Sequence, residues 1–319
     1  MATRQLSLAE ALLDPRLGNN ARLSAIDAVI DWRPIEQLAA TVHAAETGRP
    51  PYPAHSMIRA LYLQMLYGLS DPGLEEALTD RLSFRRFCDF GMDQATPDFT
   101  TIWRFRTQAA AQGVMTACFE EVVRQLDAQG LILRQGTLID ATLIQAASRK
   151  PSMKSGKGAK RAREPGASWT RKNGRSYFGY RLHIGTDKAH NLIRKVAFTP
   201  ANLGESTVAD ALISGDEAAV YGDKGYESKH RRARLKARGA KDRICHRSHK
   251  NQKGLPHWQA KRNKAIAKRR AQIEQVFGTG KRVFGYVRAR SVNFATNLGQ
   301  AFTFATVFNL RRAAGLRMP

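Results

Sequence analysis

Apolar residues recur at three- and four-residue spacings over most of residues 1–130, which is the pattern of amphipathic helices. The spacing predicts helices over residues 8–13, 34–43, 55–67, 74–78, 102–106 and 119–126. Asp71-Pro72 and Pro97-Asp98 are typical of helix starts, because proline is accepted in the first turn and aspartate caps it. The first part of the chain is therefore predicted to be helical.

Beyond residue 130 the pattern changes to short apolar runs and to alternation of polar and apolar positions. Strands are predicted over residues 136–140, 177–186, 192–198, 218–222 and 242–246. Helices are predicted over residues 206–213, 227–238 and 258–287. Residues 187–191 form a turn that makes the second and third strands a hairpin. Residues 149–175 hold ten basic residues and one acid among Gly and Ser, and are predicted to be a mobile loop without a partner.

The composition is that of a folded globular protein, with 43% hydrophobic residues in 319. The apolar stretch 301–310 is interrupted by polar residues and is shorter than the roughly 18 residues that a membrane span needs. The N-terminus lacks a basic segment followed by an apolar one, so no secretory signal is expected. Three widely spaced cysteines, Cys88, Cys118 and Cys245, fit a reducing compartment such as the cytoplasm.

The charge is strongly positive and unevenly distributed. The chain carries 52 Lys and Arg against 27 Asp and Glu, a net charge of +25. Residues 1–130 contain 12 Arg, no Lys and 16 acidic residues, so their net charge is −4, and residues 131–319 carry +29. Solubility alone requires a magnitude of only about 2–8 for a small domain. The excess predicts contact with nucleic acid and a boundary between a helical domain, 1–130, and a basic domain, 131–319.

Three carboxylates are candidate ligands for catalytic metal ions. Asp140 and Asp223 each end a predicted strand, and Glu274 lies on the long predicted helix. Neighbouring strands would bring the two aspartates together, and a helix packed across the sheet would add the glutamate. Such a set suits Mg²⁺ or Mn²⁺, and two ions about 3.5–4 Å apart can activate an attacking oxygen and stabilise a leaving one. Taken singly, Asp223 is equally typical of a turn, and Glu274 of a salt bridge to Arg270.

The local sequences around these carboxylates resemble a known family. Asp140-Ala-Thr142, Gly222-Asp-Lys-Gly-Tyr226, and the run from Arg270 to Gly278 followed by Lys281 are similar to the three signature blocks of DDE transposases of bacterial insertion sequences, closest to the insertion-sequence-5 kind. Pro200-Ala-Asn202 also matches. Segments 67–71, 74–78, 81–84, 97–101 and 105–106 are similar to the helical N-terminal region of that family.

This resemblance implies an α+β protein, with a helical N-terminal domain for DNA-end binding or dimerisation and a ribonuclease-H-like mixed α/β catalytic domain. It implies that Asp140, Asp223 and Glu274 hold two Mg²⁺ or Mn²⁺ ions. Hydrolytic nicking at the element's ends would expose a 3′-hydroxyl that attacks target DNA. The implied partners are double-stranded terminal inverted repeats, target DNA and a second copy of the chain, in the bacterial cytoplasm at the nucleoid and not at a membrane.

Several cations are candidate DNA contacts near these carboxylates. Arg270 and Lys281 lie four residues before and seven after Glu274, which places them close to one helix face. Both would hold the DNA backbone, although a generic solvated basic face has the same pattern. Lys224, next to Asp223, is a weaker candidate of the same kind.

Three further candidate DNA contacts lie elsewhere. Trp258, within basic and polar sequence, would stack on a displaced base, or alternatively pack half-buried. Arg104 and Arg106 follow a helix start and would reach guanines or phosphates from a recognition helix. Apolar residues at positions 99, 102 and 105 have helical spacing and favour a core helix instead.

Other functions fit parts of the pattern. A ribonuclease-H-like nuclease or resolvase would cut DNA without joining it. A transposase-derived protein with a silent site would bind DNA only, and an RNA-binding structural protein would need no carboxylate cluster. Cleavage and joining assays distinguish among them.

Overall fold

The computed structural model of the chain describes residues 16–42, 51–148, 164–248 and 254–317. The described residues form two compact units. One comprises those up to Gln125 together with those from Phe302 onward, and the other comprises those from Leu126 to Ala301. None of the helices in the described ranges has the length and apolarity to span a membrane.

The first unit is helical, and several of its helices begin or end at residues that cap helices well. Its helices are α1 (Ala21–Asp27), α2 (Arg33–Ala40), α3 (Ala54–Tyr67), α4 (Asp71–Asp80), α5 (Leu82–Cys88), α6 (Phe99–Ala111) and α7 (Val114–Ala128), whose last residues enter the second unit. Gly68 ends α3 in the left-handed conformation at φ 65°. The Ser70 hydroxyl caps α4 and the Asp98 carboxylate caps α6. The predicted helices over 55–67, 74–78, 102–106 and 119–126 are confirmed.

The C-terminal end of the chain packs within the first unit, although the sequence pattern assigns it to the second domain. Helix α11 (Phe294–Arg317) crosses from one unit to the other. Phe302 lies against Phe119 with ring centroids 5.6 Å apart, and Arg317 donates a hydrogen bond to the Ala28 carbonyl at 2.9 Å. Apolar contact and a backbone bond thus attach this segment to the N-terminal helices.

The second unit contains a six-stranded mixed sheet. Its elements in chain order are β1 (Thr137–Gln145), β2 (Ser168–Lys172), β3 (Arg175–Asp187), β4 (Ile193–Pro200), α8 (Glu205–Val208), a 3₁₀ turn (Ala209–Leu212), β5 (Ala219–Gly222), a 3₁₀ turn (Lys224–Tyr226), α9 (Lys229–Ala237), β6 (Lys241–Ile244) and α10 (His257–Arg282). β3 is antiparallel to β1, β2 and β4, whereas β5 is parallel to β1 and β6 is parallel to β5. This is the ribonuclease-H-like arrangement that the sequence predicts.

The two edges of β3 have different neighbours. Residues 179–187 pair with β1 on one edge, and the opposite edge pairs with β2 over 175–179 and with β4 over 180–186. A buried cluster that includes Ile139, Val220, Tyr226 and Leu235 packs the two 3₁₀ turns and α9 on the sheet. The long helix α10 packs against β1, β5 and β6.

Two predicted boundaries are wrong. The first strand does not end at Asp140 but continues to Gln145, because the alternation persists and every position pairs with β3. The predicted mobile loop 149–175 contains strand β2 in its last part, where Asn173-Gly174 makes a tight hairpin turn. Residues 149–163 of that loop and the predicted helix 8–13 lie outside the described residues.

Candidate active site

Strand register places two of the predicted site carboxylates side by side. Thr137 of β1 pairs with Val220 of β5, and Leu138 pairs with Tyr221. Two residues further in the same register, Asp140 comes level with Asp223, which follows the last residue of β5. In-register residues of neighbouring strands point to the same face of a sheet. The predicted meeting of these two side chains therefore follows from the pairing of parallel strands.

Arg270 of α10 lies between the two aspartates. Its Nη2 is 3.0 Å from Asp140 Oδ2, and its Nη1 is 3.9 Å from Asp223 Oδ1. The guanidinium side chain is only 14% exposed, so its charge acts on Asp140 with little solvent screening, whereas Asp223 is 46% exposed. The alternative partner suggested by the sequence, Glu274, makes no ion pair with Arg270 within the described ranges.

Burial dominates the electrostatics of Asp140. Desolvation raises the pKa of this carboxyl above its ordinary value, and the nearby Arg270 charge and the Ala141 N–H act in the opposite direction. The negative charge of Asp223 raises the Asp140 pKa further. The contribution of Asp223 to this shift fits two neighbouring carboxylates, an arrangement that attracts a cation.

A third carboxylate, which the sequence pattern did not single out, lies near this pair. Glu205 is the first residue of α8, and its Oε1 is 3.3 Å from Arg181 Nη1. Burial raises the pKa of Glu205, while the Arg181 charge lowers it and the charges of Asp140 and Asp223 raise it. The only sequence signal for Glu205 is its place just before the predicted helix 206–213 and after Pro200-Ala-Asn202.

Gly225 makes room for that carboxylate. A Cβ at this position would lie 2.7 Å from Glu205 Oε2, closer than real contacts allow. Gly225 is two residues after Asp223, so the 3₁₀ turn that follows β5 touches both acidic groups.

Gly225→Ala is expected to displace Glu205 with little loss of stability, because the end of a flexible side chain can give way. We expect a drop in DNA cleavage of about tenfold or more, since a 1 Å misplacement in a site can cost about a hundredfold. Single-turnover cleavage and thermal unfolding are the measurements. The control is Gly315→Ala, where a Cβ meets no atom within 4 Å. Unchanged cleavage would exclude a role for the position of Glu205.

Two buried donors remain unsatisfied at this site. Tyr226 is fully buried, and its hydroxyl has no hydrogen-bond partner within the described ranges. Burial raises the Tyr226 pKa, and the charges of Glu205 and Asp140 raise it further. Arg270 Nε is likewise buried without a partner there. Buried donors usually find an acceptor, so water or a bound anion oxygen is the expected partner.

The carboxylates of this site suit a hard divalent cation, although three of them do not lie together among the described residues. Carboxylate oxygens are the ligands that Mg²⁺ and Mn²⁺ prefer. Over the ranges that the structure describes, no three His, Cys, Asp or Glu side chains lie together closely enough to hold a metal ion. Glu274 is exposed on α10, four residues after Arg270. Residues four apart share a helix face about 6 Å apart along the axis, so Glu274 lies one turn from the group that bridges the aspartates.

Cations flank the carboxylates. Lys281, in the last turn of α10, is exposed, but partial desolvation lowers its pKa, as does the charge of Lys172. Lys172 also acts on the pKa values of Asp140 and Glu205. Lys172 is in β2, which the sequence pattern had assigned to the loop. Lys224 is exposed next to Asp223, as the sequence predicts.

Trp258 is 60% exposed, so the half-buried alternative does not apply. Its ring meets His246 edge-on at 5.4 Å between centroids. It lines a cavity of about 520 Å³ together with Arg243, Lys261 and Arg269. An exposed indole among cations is compatible with the predicted stacking on a base.

The two arginines of the predicted recognition helix differ. Arg104 is exposed and remains a predicted DNA contact. Arg106 is only 8% exposed, and its guanidinium is 2.5 Å from Asp71 Oδ1 and 3.0 Å from Gln64 Oε1. The predicted DNA contact of Arg106 is therefore wrong, because its donors are used inside the helical unit.

The comparison with known families agrees with a chain made of two different parts. Residues 132–310, more than half of the 319, match the family model of the transposase DDE domain. Residues 11–108 match the model of a transposase domain (DUF772). No solved structure matches the chain.

Proposed function

The chain belongs to the DDE transposase family, and from this premise we propose that it nicks DNA at the ends of its element and joins the exposed 3′-hydroxyl to target DNA. Asp140, Asp223 and Glu274 would hold two Mg²⁺ or Mn²⁺ ions. The observation that carries the proposal is the parallel register that sets Asp140 level with Asp223 under the Arg270 guanidinium.

Each residue has a defined task in this proposal. Asp140 and Asp223 supply the acidic oxygens, and Arg270 keeps the two groups facing one point by pairing with both. Bound divalent ions would activate the attacking oxygen and stabilise the leaving oxygen.

Glu274 fits as the third acidic group for two reasons. It lies on the helix face that carries Arg270, one turn further, and it is exposed with no hydrogen bond or ion pair within the described residues. A carboxylate without a protein partner can turn toward a cation at little cost. Lys281, seven residues on, would neutralise a DNA phosphate beside the site.

The partners and the location of the protein are proposed on the same basis. The positive charge of the second part of the chain fits double-stranded DNA at the element ends and at the target. Joining two ends requires two active sites, so we propose a homodimer in the DNA complex, in the bacterial cytoplasm at the nucleoid. Exposed Arg104, Lys224 and Trp258 are proposed as further DNA contacts.

A decisive test uses DNA that carries the ends of the element encoding this chain. With Mg²⁺ or Mn²⁺, we expect nicked products and then products joined to a second DNA. Cut products without joined ones would support a nuclease or resolvase instead. Binding without any cleavage would support a catalytically silent DNA-binding protein.

Glu274→Gln tests the third ligand in the same assay. We expect cleavage to fall by about a thousandfold, since a lost ion ligand removes several kcal/mol of transition-state stabilisation. DNA affinity should stay within about twofold, because a single uncharged substitution breaks no phosphate contact. The matched control is the exposed Glu120→Gln on α7. Retained cleavage in Glu274→Gln would remove this residue from the mechanism.

A further inference from the structure

A cavity of about 520 Å³ lies between the first half of α10 and the last two strands of the sheet, and we call it the α10 groove. Tyr221 of β5 and Arg243 of β6 form its sheet side. The helix side is formed by residues of α10 that follow each other at spacings of three and four: Trp258, Lys261, Ala265 and Arg269. The volume of the groove is in the range of sites that hold a small ligand or part of a larger one.

The α10 groove opens on the face of the sheet that carries the proposed site. Tyr221 pairs with Leu138 of β1 and with Arg243 of β6, so these three side chains point to one face. Asp140 and Asp223 come two residues after the pair of Leu138 and Tyr221, and a period of two returns them to the same face. The groove and the carboxylates therefore share one surface of the sheet.

Helix α10 also connects the groove to the carboxylates. Its Arg270 contacts Asp140, and Trp258 lies twelve residues earlier on the helix. At a rise of 1.5 Å per residue, the groove extends from about 18 Å away to the turn that holds Arg270. A nucleic-acid strand in the groove would reach the carboxylates at one end.

Hydrogen bonds hold the walls of the groove in place. Arg262 of α10 donates to the Ile244 carbonyl at 2.8 Å and to the Asp242 carbonyl at 2.7 Å, which joins the helix to the end of β6. The His246 N–H donates to Asn263 Oδ1 at 2.8 Å, and Asn263 Nδ2 donates to the His246 carbonyl at 2.9 Å. The groove is thus preformed, so a ligand would bind without the cost of ordering it.

Three cations of the groove have no acidic partner among the residues that the structure describes. Arg243, Lys261 and Arg269 are exposed and form no ion pair there. Arg262 differs, because Asp242 Oδ2 lies 3.3 Å from its guanidinium. Clustered cations without acidic partners are complementary to the phosphates of a nucleic acid.

Trp258 adds a ring surface beside these cations. Its side chain is 60% exposed, and the neighbouring His246 ring is nearly perpendicular to it, at 77°. The other ring of the groove, Tyr221, has the Lys188 ammonium 5.6 Å from its centroid. Aromatic rings beside a row of cations bind single strands, because unpaired bases stack on a ring while the phosphates meet the charges. Bases in a duplex are already stacked on each other and offer only their edges.

We propose that the α10 groove binds single-stranded DNA, with a base stacked on Trp258 and the phosphates on Arg243, Lys261 and Arg269. The proposal rests on the function proposed above, because nicking at an element end creates a strand end that can leave the duplex. The groove would hold such a strand beside the carboxylates.

Trp258→Leu tests the base contact in a binding assay that needs no cleavage. The probe is a fluorescein-labelled single-stranded oligonucleotide of about 12 nucleotides, followed by anisotropy. We expect its affinity to fall about tenfold, as for the loss of one stacked base, and the affinity for a blunt duplex of that length to stay within about twofold. Trp103→Leu is the matched control, since this indole is 49% exposed in the helical unit, and it should bind the single strand like the unmodified chain.

Arg243→Ala tests the phosphate contacts through salt. The slope of log affinity against log salt for the single strand should fall by about 0.7, the value for one phosphate of a single strand. The double variant with Lys261→Ala should lose about 1.4. Lys195→Ala is the control, because the strand register places this exposed lysine of β4 on the other face of the sheet, and its slope should not change.

Several outcomes would overturn the proposal. They are unchanged single-strand affinity in Trp258→Leu, an unchanged slope in the double variant, and equal losses for single strand and duplex. Displacement of the oligonucleotide by millimolar deoxyadenosine monophosphate would make a single nucleotide the ligand and overturn the strand. An unmodified chain that cuts and joins DNA but does not bind the single strand would overturn the groove and leave the proposed function standing. Groove-dependent binding by a chain that neither cuts nor joins would overturn the function alone.

Discussion

Asp140→Asn is expected to reduce metal-dependent DNA cleavage by about a thousandfold, corresponding to about 4 kcal/mol of lost transition-state stabilisation. The asparagine keeps the shape of the side chain but removes the charge that lies level with Asp223. Arg270 would then have only the more distant Asp223 as a partner. Cleavage in Mg²⁺ and in Mn²⁺, together with calorimetric titration of Mn²⁺, measures the loss of rate and of ion affinity separately.

The structural consequence of Asp140→Asn should be small. The side chain still accepts the Ala141 N–H through an oxygen, and the strand keeps all its pairs with β3. DNA affinity should remain, since phosphate contacts come from cations elsewhere. Asp93→Asn, an exposed aspartate in the helical unit, is the control. Cleavage by Asp140→Asn at the rate of this control would exclude Asp140 from the chemistry.

The sheet was predictable where its strands alternate between polar and apolar residues. β3 and β4 followed from that period, and β5 and β6 from short apolar runs. β2 was missed because Ser168–Lys172 has little apolar character and adjoins a long basic segment. The signal that was present is Asn173-Gly174, the strongest short hairpin motif, which fixes the turn by its positive φ angles.

Helix α11 was not predicted for the opposite reason. Residues 301–310 are all buried, Thr303, Thr306 and Asn309 included, so the polar residues of this stretch do not mark a solvent-facing side. Periodicity detects a helix only when one face is wet. A helix that is surrounded by protein has no amphipathic pattern in its sequence. Whether such a segment forms a helix or a strand is decided by tertiary packing.

The candidate site was only partly predictable. The neighbouring positions of Asp140 and Asp223 follow from the order of strands, which the pattern contains. The approach of Glu205 depends on the Arg181 ion pair and on the missing side chain of Gly225, which are contacts between separate loops and strands.

Arg106→Met is expected to destabilise the helical unit by about 3 kcal/mol, the lower part of the range for breaking one side of a buried ion pair. Asp71 would lose both guanidinium bonds, and Gln64, which is also buried, would lose the bond to its side-chain oxygen. Methionine fills much of the same space, so the loss reflects the missing guanidinium bonds to Asp71, which keeps the hydrogen bond from Gln64 Nε2, more than a cavity. Urea unfolding followed by circular dichroism measures the free energy of unfolding.

Arg104→Ala, two residues away on the same helix, separates stability from DNA recognition. Arg104 is exposed, so its removal should change the free energy of unfolding by less than about 0.5 kcal/mol, as is usual for surface substitutions. If α6 touches DNA, Arg104→Ala should lower the affinity for the element ends. Arg106→Met should lower that affinity only in urea or on warming, because the helical unit then unfolds. If Arg106→Met kept full stability and still bound DNA more weakly in the folded state, Arg106 would be a DNA contact after all. A guanidinium that is engaged by Asp71 cannot produce that pair of results.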